Sequence, residues 1–382
     1  RQRQMCIRDR SFYMKKAKKR ARRFFFLVVS RLSLILLVIG LFVVLPLVDI
    51  INQTRQQALS DRFFGKKAEY QGVITLWNVD TFEGGSSSRS SYLSQIAMQF
   101  EKYNKGALIK VDNLTVDEMM ANINMGVLPD MFAFGTGVGG ILKDKMVTLP
   151  SSLESKVLLN LYSSGLDKGN FKAAAYAFGG YTLISTTEKI EAAGQTYNGS
   201  LLDLALSLEF DKIYKKTTKH VNSLTFGRND YTNAIDVFSR VFTSSSVEDL
   251  KTSGVVDEKY NLQTSYDAYL SFVNGRASML LGTQRDIYRM ENRLSSGVEN
   301  DVLYQPLGCY TDLVCYISVL STNLEKKNVC LDFVEFLLSE SSQKQLENIG
   351  LLSAIGLKLY ESGPLKELEE KLNQNTIVKS AF

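Results

Sequence analysis

The sequence predicts an α/β fold, and three observations carry that expectation. First, GVITLW (72–77), ALIKVDNL (107–114) and MFAFG (131–135) are compact apolar runs, rich in β-branched or aromatic residues, of the kind that form buried strands. Second, the stretches between them have helical character. Tyr92, Leu93, Ile96, Ala97, Phe100 and Tyr103 recur at helical spacing, and Thr115 with Glu118 frames a capping box for a helix running to about Asn124. Third, Asn104-Lys-Gly106 and Pro129-Asp130 supply stops at the intervening boundaries. Strand, helix, strand, helix, strand is a βαβαβ unit with right-handed crossovers.

Ahead of this unit, RQRQMCIRDR resembles the translation of a transposon-end adapter used in sequencing libraries, and Met14-Lys-Lys is a natural start, so 1–13 is expected to be a scar. Segment 14–31 carries Lys15, Lys16, Lys18, Lys19, Arg20, Arg22, Arg23 and Arg31. The run Leu32–Val48 then holds seventeen residues without a charge, enough to span a bilayer. Basic residues stay on the cytoplasmic side, which places the remainder outside the cytoplasmic membrane. A cleaved secretory signal shares this basic front and apolar middle. Here the apolar stretch extends back through Phe24–Val29 and on to Ile51, and the following DIINQTRQQALSDRFFG has no A-x-A site and no lipidation Cys. The expectation is an uncleaved single-pass anchor at 32–51, N-terminus inside, with a polar stalk at 52–69.

The anchor also changes how the charge is read. Residues 1–31 hold 12 of the 45 Lys and Arg but one acid, Asp9, leaving 33 basic against 39 acidic residues in 32–382. The outer part is mildly acidic, which removes the electrostatic support for nucleic-acid binding. Roughly 310 residues beyond the tether suit two domains or one two-lobed unit. Cys309, Cys315 and Cys330 lack metal-type spacing; a Cys309–Cys315 disulfide and three ordinary thiols both fit an extracellular setting. His220 is the single histidine, in the polar stretch KKTTKHVNS, so no multi-His metal site exists and a surface position fits it. No cofactor motif is present.

Further along, AAAYAFGGYTLIST (173–186) reads as two strands broken at Gly179-Gly180. Residues 200–240 and 264–275 read as helical, ASMLLG (277–282) as a strand, and VLYQPLG with LVCYISVLS (302–321) as extended chain. Val329–Leu338 and Ser342–Asn348 are amphipathic helices.

Ligands in open α/β sheets bind beyond the carboxyl ends of strands, which singles out Asn78–Glu83 and Phe134–Gly139. Asp80, Thr81 and Glu83 follow Trp77, the only Trp. Carboxylates and hydroxyls beside aromatic faces suit a polyhydroxylated ligand, whose O–H groups they accept and whose C–H faces the rings cover. A Trp after a strand fits a core position equally. GTGVGG lacks the Lys-Ser/Thr ending of a phosphate loop, so its glycines serve close backbone approach to a ligand or a neighbour. Arg285-Asp286 fits a ligand clamp and an internal ion pair alike.

ITLWNVDTFEGG, FEKYNKG, PDMFAFGTG, YAFGGYTLIS, FVNGRASMLLGTQRD and FVEFLLSESSQKQLENIG occur in that order. Together they resemble the extracellular solute-binding proteins of bacterial ABC importers, in the carbohydrate-binding group that includes maltose-binding proteins. The resemblance covers about 70–356. It implies a two-lobed periplasmic-binding-protein-like fold of type II, with hinge strands between the lobes, over 70–382. Lobe 1 would comprise about 70–177 and 309–340, and lobe 2 about 178–308 and 341–382. It further implies that Asp80 is a sugar-binding acid, that Phe134 lines the cleft with Thr136 and Gly137 beyond it, and that Tyr181 faces the ligand past the first crossing. Thr283 and Arg285 fall in a second-lobe segment where the family often has a stacking aromatic, a departure that leaves room for an acidic or small sugar. Tyr310 and Asp312 lie near the cleft on a return crossing, Leu307–Tyr316. The function implied is that of a membrane-anchored, monomeric receptor passing a carbohydrate to ABC permease subunits with no catalytic step. A sensing module for a membrane kinase or chemoreceptor, and a glycosidase using Asp80 and Glu83, are the alternatives.

Overall fold

The computed structural model describes residues 31, 65–207, 224–229, 237, 239–240, 263–372 and 375–382. The chain divides into two units, Arg1–Lys66 and Lys67–Phe382, and the fold below belongs to the second. The expected scar, the apolar run Leu32–Val48, residues 52–64 of the expected stalk, and His220 lie outside the described residues, while 66–69 of that stalk already belong to a strand. Among the described residues, no helix is long and apolar enough to cross a membrane.

Strand β1 (Lys66–Val79) alternates exposed and buried positions at first, then buries Leu76 through Val79 without a break. That change marks its passage from half-solvated chain into the centre of a sheet. Helix α1 (Arg89–Tyr103) buries the periodic set Tyr92, Leu93, Ile96, Ala97 and Phe100, together with Arg89. Strand β2 (Asn104–Asn113) follows, then α2 (Val116–Asn124), whose capping box forms as expected. Glu118 N donates to Thr115 Oγ1 at 3.2 Å and Thr115 N donates to Glu118 Oε2 at 2.8 Å. Strand β3 (Met131–Gly135) is wholly buried and lies parallel to β1, with Trp77 opposite Phe132 and Val79 opposite Phe134.

After the short pair β4 (Leu166–Asp167) and β5 (Asn170–Phe171), the two strands expected around Gly179-Gly180 appear as β6 (Ala174–Phe178) and β7 (Tyr181–Ser185). They do not pair with each other but enter different sheets. Among the elements that follow are β8 (Leu224–Thr225), α3 (Ser265–Val273), β9 (Met279–Thr283), α4 (Gln284–Ser295), β10 (Leu303–Leu307), β11 (Tyr310–Thr311) and β12 (Val314–Val319). They are followed by α5 (Leu324–Leu337), β13 (Leu352–Ser353), α6 (Gly363–Lys371) and β14 (Ile377–Val378). The larger sheet has the order β13-β6-β12-β3-β1-β2, the smaller β10-β7-β9-β8. Each sheet therefore anchors one lobe, and the chain first crosses between them at 179–180 and crosses back at 308–313.

The C-terminal part differs from the expected division, in which all of 341–382 joined lobe 2. Strand β13 pairs with β6, placing Leu352 opposite Phe178 in the larger sheet. Gln343, fully buried, donates to Tyr176 O at 2.9 Å and Leu337 O at 3.0 Å, and accepts from Ser353 Oγ and Ala354 N. Only α6 packs on the smaller sheet, against β10. The chain then returns, since β14 pairs with β11 and Ala381 N donates to Ser164 O at 2.9 Å. The physical reason is backbone satisfaction: the free edge of β6 needs hydrogen-bond partners, and this segment supplies them. The sequence SSQKQ carries no trace of that role, because a Gln on a helix reads as solvent-facing.

Gln343→Leu keeps the volume but orphans two buried carbonyls and one buried amide. It is expected to lower stability by about 2 kcal/mol or more in urea denaturation; an unchanged midpoint and slope would refute the anchoring role.

Candidate functional site

Strand β12 runs antiparallel to both β3 and β6, and β1 runs parallel to β3. The carboxyl ends of β1, β3 and β6 (Val79, Gly135 and Phe178) therefore share one edge of the larger sheet. Both crossings to the smaller sheet meet that edge, which is where an open α/β sheet presents a ligand site. On the opposite wall stands the junction of β9 and α4.

Asp80, just past β1, is 35 % exposed at its side chain and takes the Nε of Arg89 at 2.7 Å. Arg89, at 2 %, is deeply buried. Its guanidinium also donates to the Phe82 carbonyl, reaches Cys315 Sγ at 3.5 Å, and lies 4.1 Å over the Phe82 ring. Burial pulls this guanidinium's pKa down, but Cys315 and Asp80 outweigh it and hold it above its ordinary value. Asn78 Nδ2 donates to Asp80 Oδ1 at 3.2 Å as a further restraint. The carboxylate is thus locked in orientation by a buried cation at its back.

Thr81 and Thr136 sit at the ends of β1 and β3 and are buried, yet neither Oγ1 finds a hydrogen-bond partner among the described residues. Thr81 Oγ1 fills the space where Gly135 lacks a side chain, so only Gly fits there. Buried hydroxyls without partners call for an explanation such as a ligand or a bound water. Gly137 is exposed with φ 104°, forming the turn beyond Thr136, and Gly139 lets the backbone approach the Ala381 carbonyl.

The two walls touch directly. Gln284 accepts from Gly180 N at 3.1 Å and reaches Glu83 O at 3.5 Å. Arg285 donates to the Gly85 carbonyl. Arg289 Nη2 holds both oxygens of Glu83 at 2.8 Å, while its Nη1 donates to Asp286 at 2.8 Å. Burial raises the Asp286 carboxyl pKa against the pull of Arg289. Burial lowers that of Arg289, but Asp286 and Glu83 overcome it, so the guanidinium ends above its usual value. Thr283 is the N-cap of α4: its Oγ1 accepts from Arg285 N at 3.2 Å, and its own N donates to Asp286 at 3.0 Å.

Tyr181, Tyr310 and Asp312 gather at the hinge instead. Tyr181 OH donates to Asp312 Oδ1 at 2.6 Å and accepts from Asn229 Nδ2 at 3.3 Å. Burial, then Asp312, pushes the Tyr181 pKa well above its ordinary value, so the phenol stays a donor. Arg240 lies 5.2 Å over the Tyr310 ring. These contacts brace one crossing against the other.

Two expected cleft aromatics are placed elsewhere. Trp77, 4 % exposed, and Phe134, 1 % exposed, belong to the core of the larger sheet. Phe134 stacks on Phe132 and Tyr316 at ring separations of 4.6 and 5.6 Å. The core reading of the Trp is the one the structure adopts, because both faces of a central strand are covered. Arg89, Arg289 and Asn229 were not singled out by sequence. Arg289 was within reach, lying four residues from Arg285 on one helical face; Arg89 was hidden as a lone charge in GGSSSRSS. Cys309, Cys315 and Cys330 are free thiols, the first exposed and the other two buried.

No family model and no curated protein matches the sequence. Solved structures do. The cyclic α-maltosyl-1,6-maltose binding protein from Arthrobacter globiformis aligns with 82 % of this chain and 89 % of its own, at TM-score 0.56 and 10 % identity. The sugar-binding protein MalE from Xanthomonas citri covers 81 % and 86 %, at TM-score 0.57 and 12 % identity. An ABC substrate-binding protein from Listeria monocytogenes, in complex with cycloalternan, covers 81 % and 88 %, at TM-score 0.50 and 15 % identity. The fold is that of the two-lobed, maltose-binding-protein-like α/β proteins. At such identities the likeness is one of fold.

Asp80→Asn removes the anionic partner of a buried guanidinium. In the absence of any ligand it is expected to lower stability by about 1–3 kcal/mol, read from urea denaturation. A variant as stable as the parent would show that Arg89 does not depend on Asp80.

Proposed function

We propose that this chain is a receptor that captures a carbohydrate between its lobes and delivers it to an ABC permease, without a catalytic step. The observation that carries the reading is the shared edge of β1, β3 and β6. There the half-exposed, oriented Asp80 stands beside the buried, orphaned hydroxyls of Thr81 and Thr136, with a polar second wall beyond the crossings. The likeness in fold to proteins described as binding maltosyl saccharides and cycloalternan supports it. Lobe closure about 179–180 and 308–313 would bury the ligand, a hinge motion with little internal rearrangement of either sheet. The apolar run Leu32–Val48 would hold the receptor beside its permease, on the outer face of the cytoplasmic membrane, by raising its effective concentration there.

The glycosidase alternative loses support. Asp80 and Glu83 lie on one loop, and each is engaged by a guanidinium, Arg89 and Arg289 respectively. Acid–base hydrolysis requires two carboxyl groups flanking the scissile bond from opposite sides, one of them protonated.

The binding test is a thermal-shift screen of the full chain in detergent against mono- and oligosaccharides, followed by calorimetry of the hits. At least one saccharide should stabilise the protein, with a Kd on the order of micromolar; a screen without any stabilisation would sink the reading. The topology is tested separately in intact cells lacking an outer membrane barrier. Added protease should remove a C-terminal tag and spare an N-terminal one, and a protected C-terminal tag would overturn the anchor.

A further inference from the structure

The first turns of α4 carry Gln284, Arg285 and Arg289 where a stacking aromatic would suit a neutral sugar, and the partners of the two arginines are unequal. Asp286 adjoins Arg285 in sequence but pairs with Arg289 and caps Thr283 N, so the internal Arg285–Asp286 ion pair is not formed. Arg285 makes no ion pair among the described residues, and its guanidinium donates only to the Gly85 carbonyl of the facing lobe. Arg289 is held by Asp286 and also by Glu83, whose two oxygens both lie at 2.8 Å. Glu83 itself is 43 % exposed and stands at the head of the loop GGSSS.

The second-lobe wall therefore carries two guanidiniums one helical turn apart against one buried carboxylate. Glu83, on a Gly/Ser loop across the cleft, brings the carboxylates to two, but both sit on Arg289, so Arg285 has no ion-pair partner among the described residues. A guanidinium whose bond goes to a neutral carbonyl is incompletely compensated once the lobes close and water is displaced. Its planar fork matches a carboxylate through two parallel bonds, which an ammonium cannot reproduce.

The geometry points to a saccharide bearing a carboxylate, a uronic acid or oligouronide, as the ligand class, with Arg285 as its principal anchor. Glu83 is then an internal stand-in that occupies Arg289 until the ligand's acid group arrives. Thr81 and Thr136 take sugar hydroxyls on the first-lobe side. This assignment rests on the saccharide-receptor reading and narrows it.

The test is calorimetry on the full chain with galacturonate and glucuronate oligosaccharides, their neutral galactose and glucose counterparts, and citrate as a carboxylate without a sugar ring. The uronide is expected to bind at least tenfold more tightly than its neutral counterpart. Arg285→Gln should weaken the uronide at least tenfold more than it weakens the neutral sugar, and Arg285→Lys should fall between. Glu83→Gln, which releases Arg289, should tighten uronide binding several-fold. A neutral sugar bound as tightly as the uronide, or a uronide indifferent to both Arg285→Gln and Glu83→Gln, overturns the assignment while leaving the receptor reading intact. Citrate binding without any saccharide binding, or no binding at all, overturns both.

Discussion

The arrangement of this molecule depends on one insertion: β12, the strand by which the chain returns from the smaller sheet, lies between β3 and β6 at the centre of the larger one. Because it is antiparallel to both neighbours, it forces the carboxyl ends of β1, β3 and β6 onto a common edge. The same strand makes the larger lobe discontinuous in sequence, so the lobes are joined by backbone at more than one place. The two crossings are braced against each other by the hydrogen bond from Tyr181 to Asp312. The shared strand-end edge and the repeated crossing thus come from one topological fact.

Charge organises that edge. Asp80 is held from behind by a guanidinium that is itself out of water, an arrangement that resists rotation of the carboxylate and penalises its removal. Glu83 behaves differently. It is more exposed, begins a glycine- and serine-rich loop, and spans the cleft to Arg289. One acid is built into its lobe, and the other is exchangeable. A half-exposed carboxylate on a guanidinium can be replaced by another carboxylate at modest cost, since the interaction lost and the interaction gained are of the same kind.

Local elements were legible because their signals are local. Periodic burial in α1, the Thr115–Glu118 capping box and the apolar run of β3 each depend on residues a few positions apart. The break at Gly179-Gly180 was legible as well, although not its meaning: two strands that look like a hairpin in sequence feed two different sheets. Trp77 and Phe134 show the converse failure. Residues at a strand end are equally suited to lining a cleft or filling a core, and coverage of both sheet faces decided for the core. The Gln343 contacts and the β13–β6 pairing placed 341–356 with the larger sheet, a choice no periodicity records.

By itself the sequence determined the α/β class, the order of strands and helices through the first five elements, and the mildly acidic balance of 32–382. Those follow from spacing, capping and composition. Tertiary structure alone decided which charges meet: Arg89 behind Asp80, Arg289 with Glu83 at a separation of 206 residues, and Arg285 left facing a carbonyl. The physical reason is that ion pairing is set by distance and burial after folding, and a sequence lists charges without either.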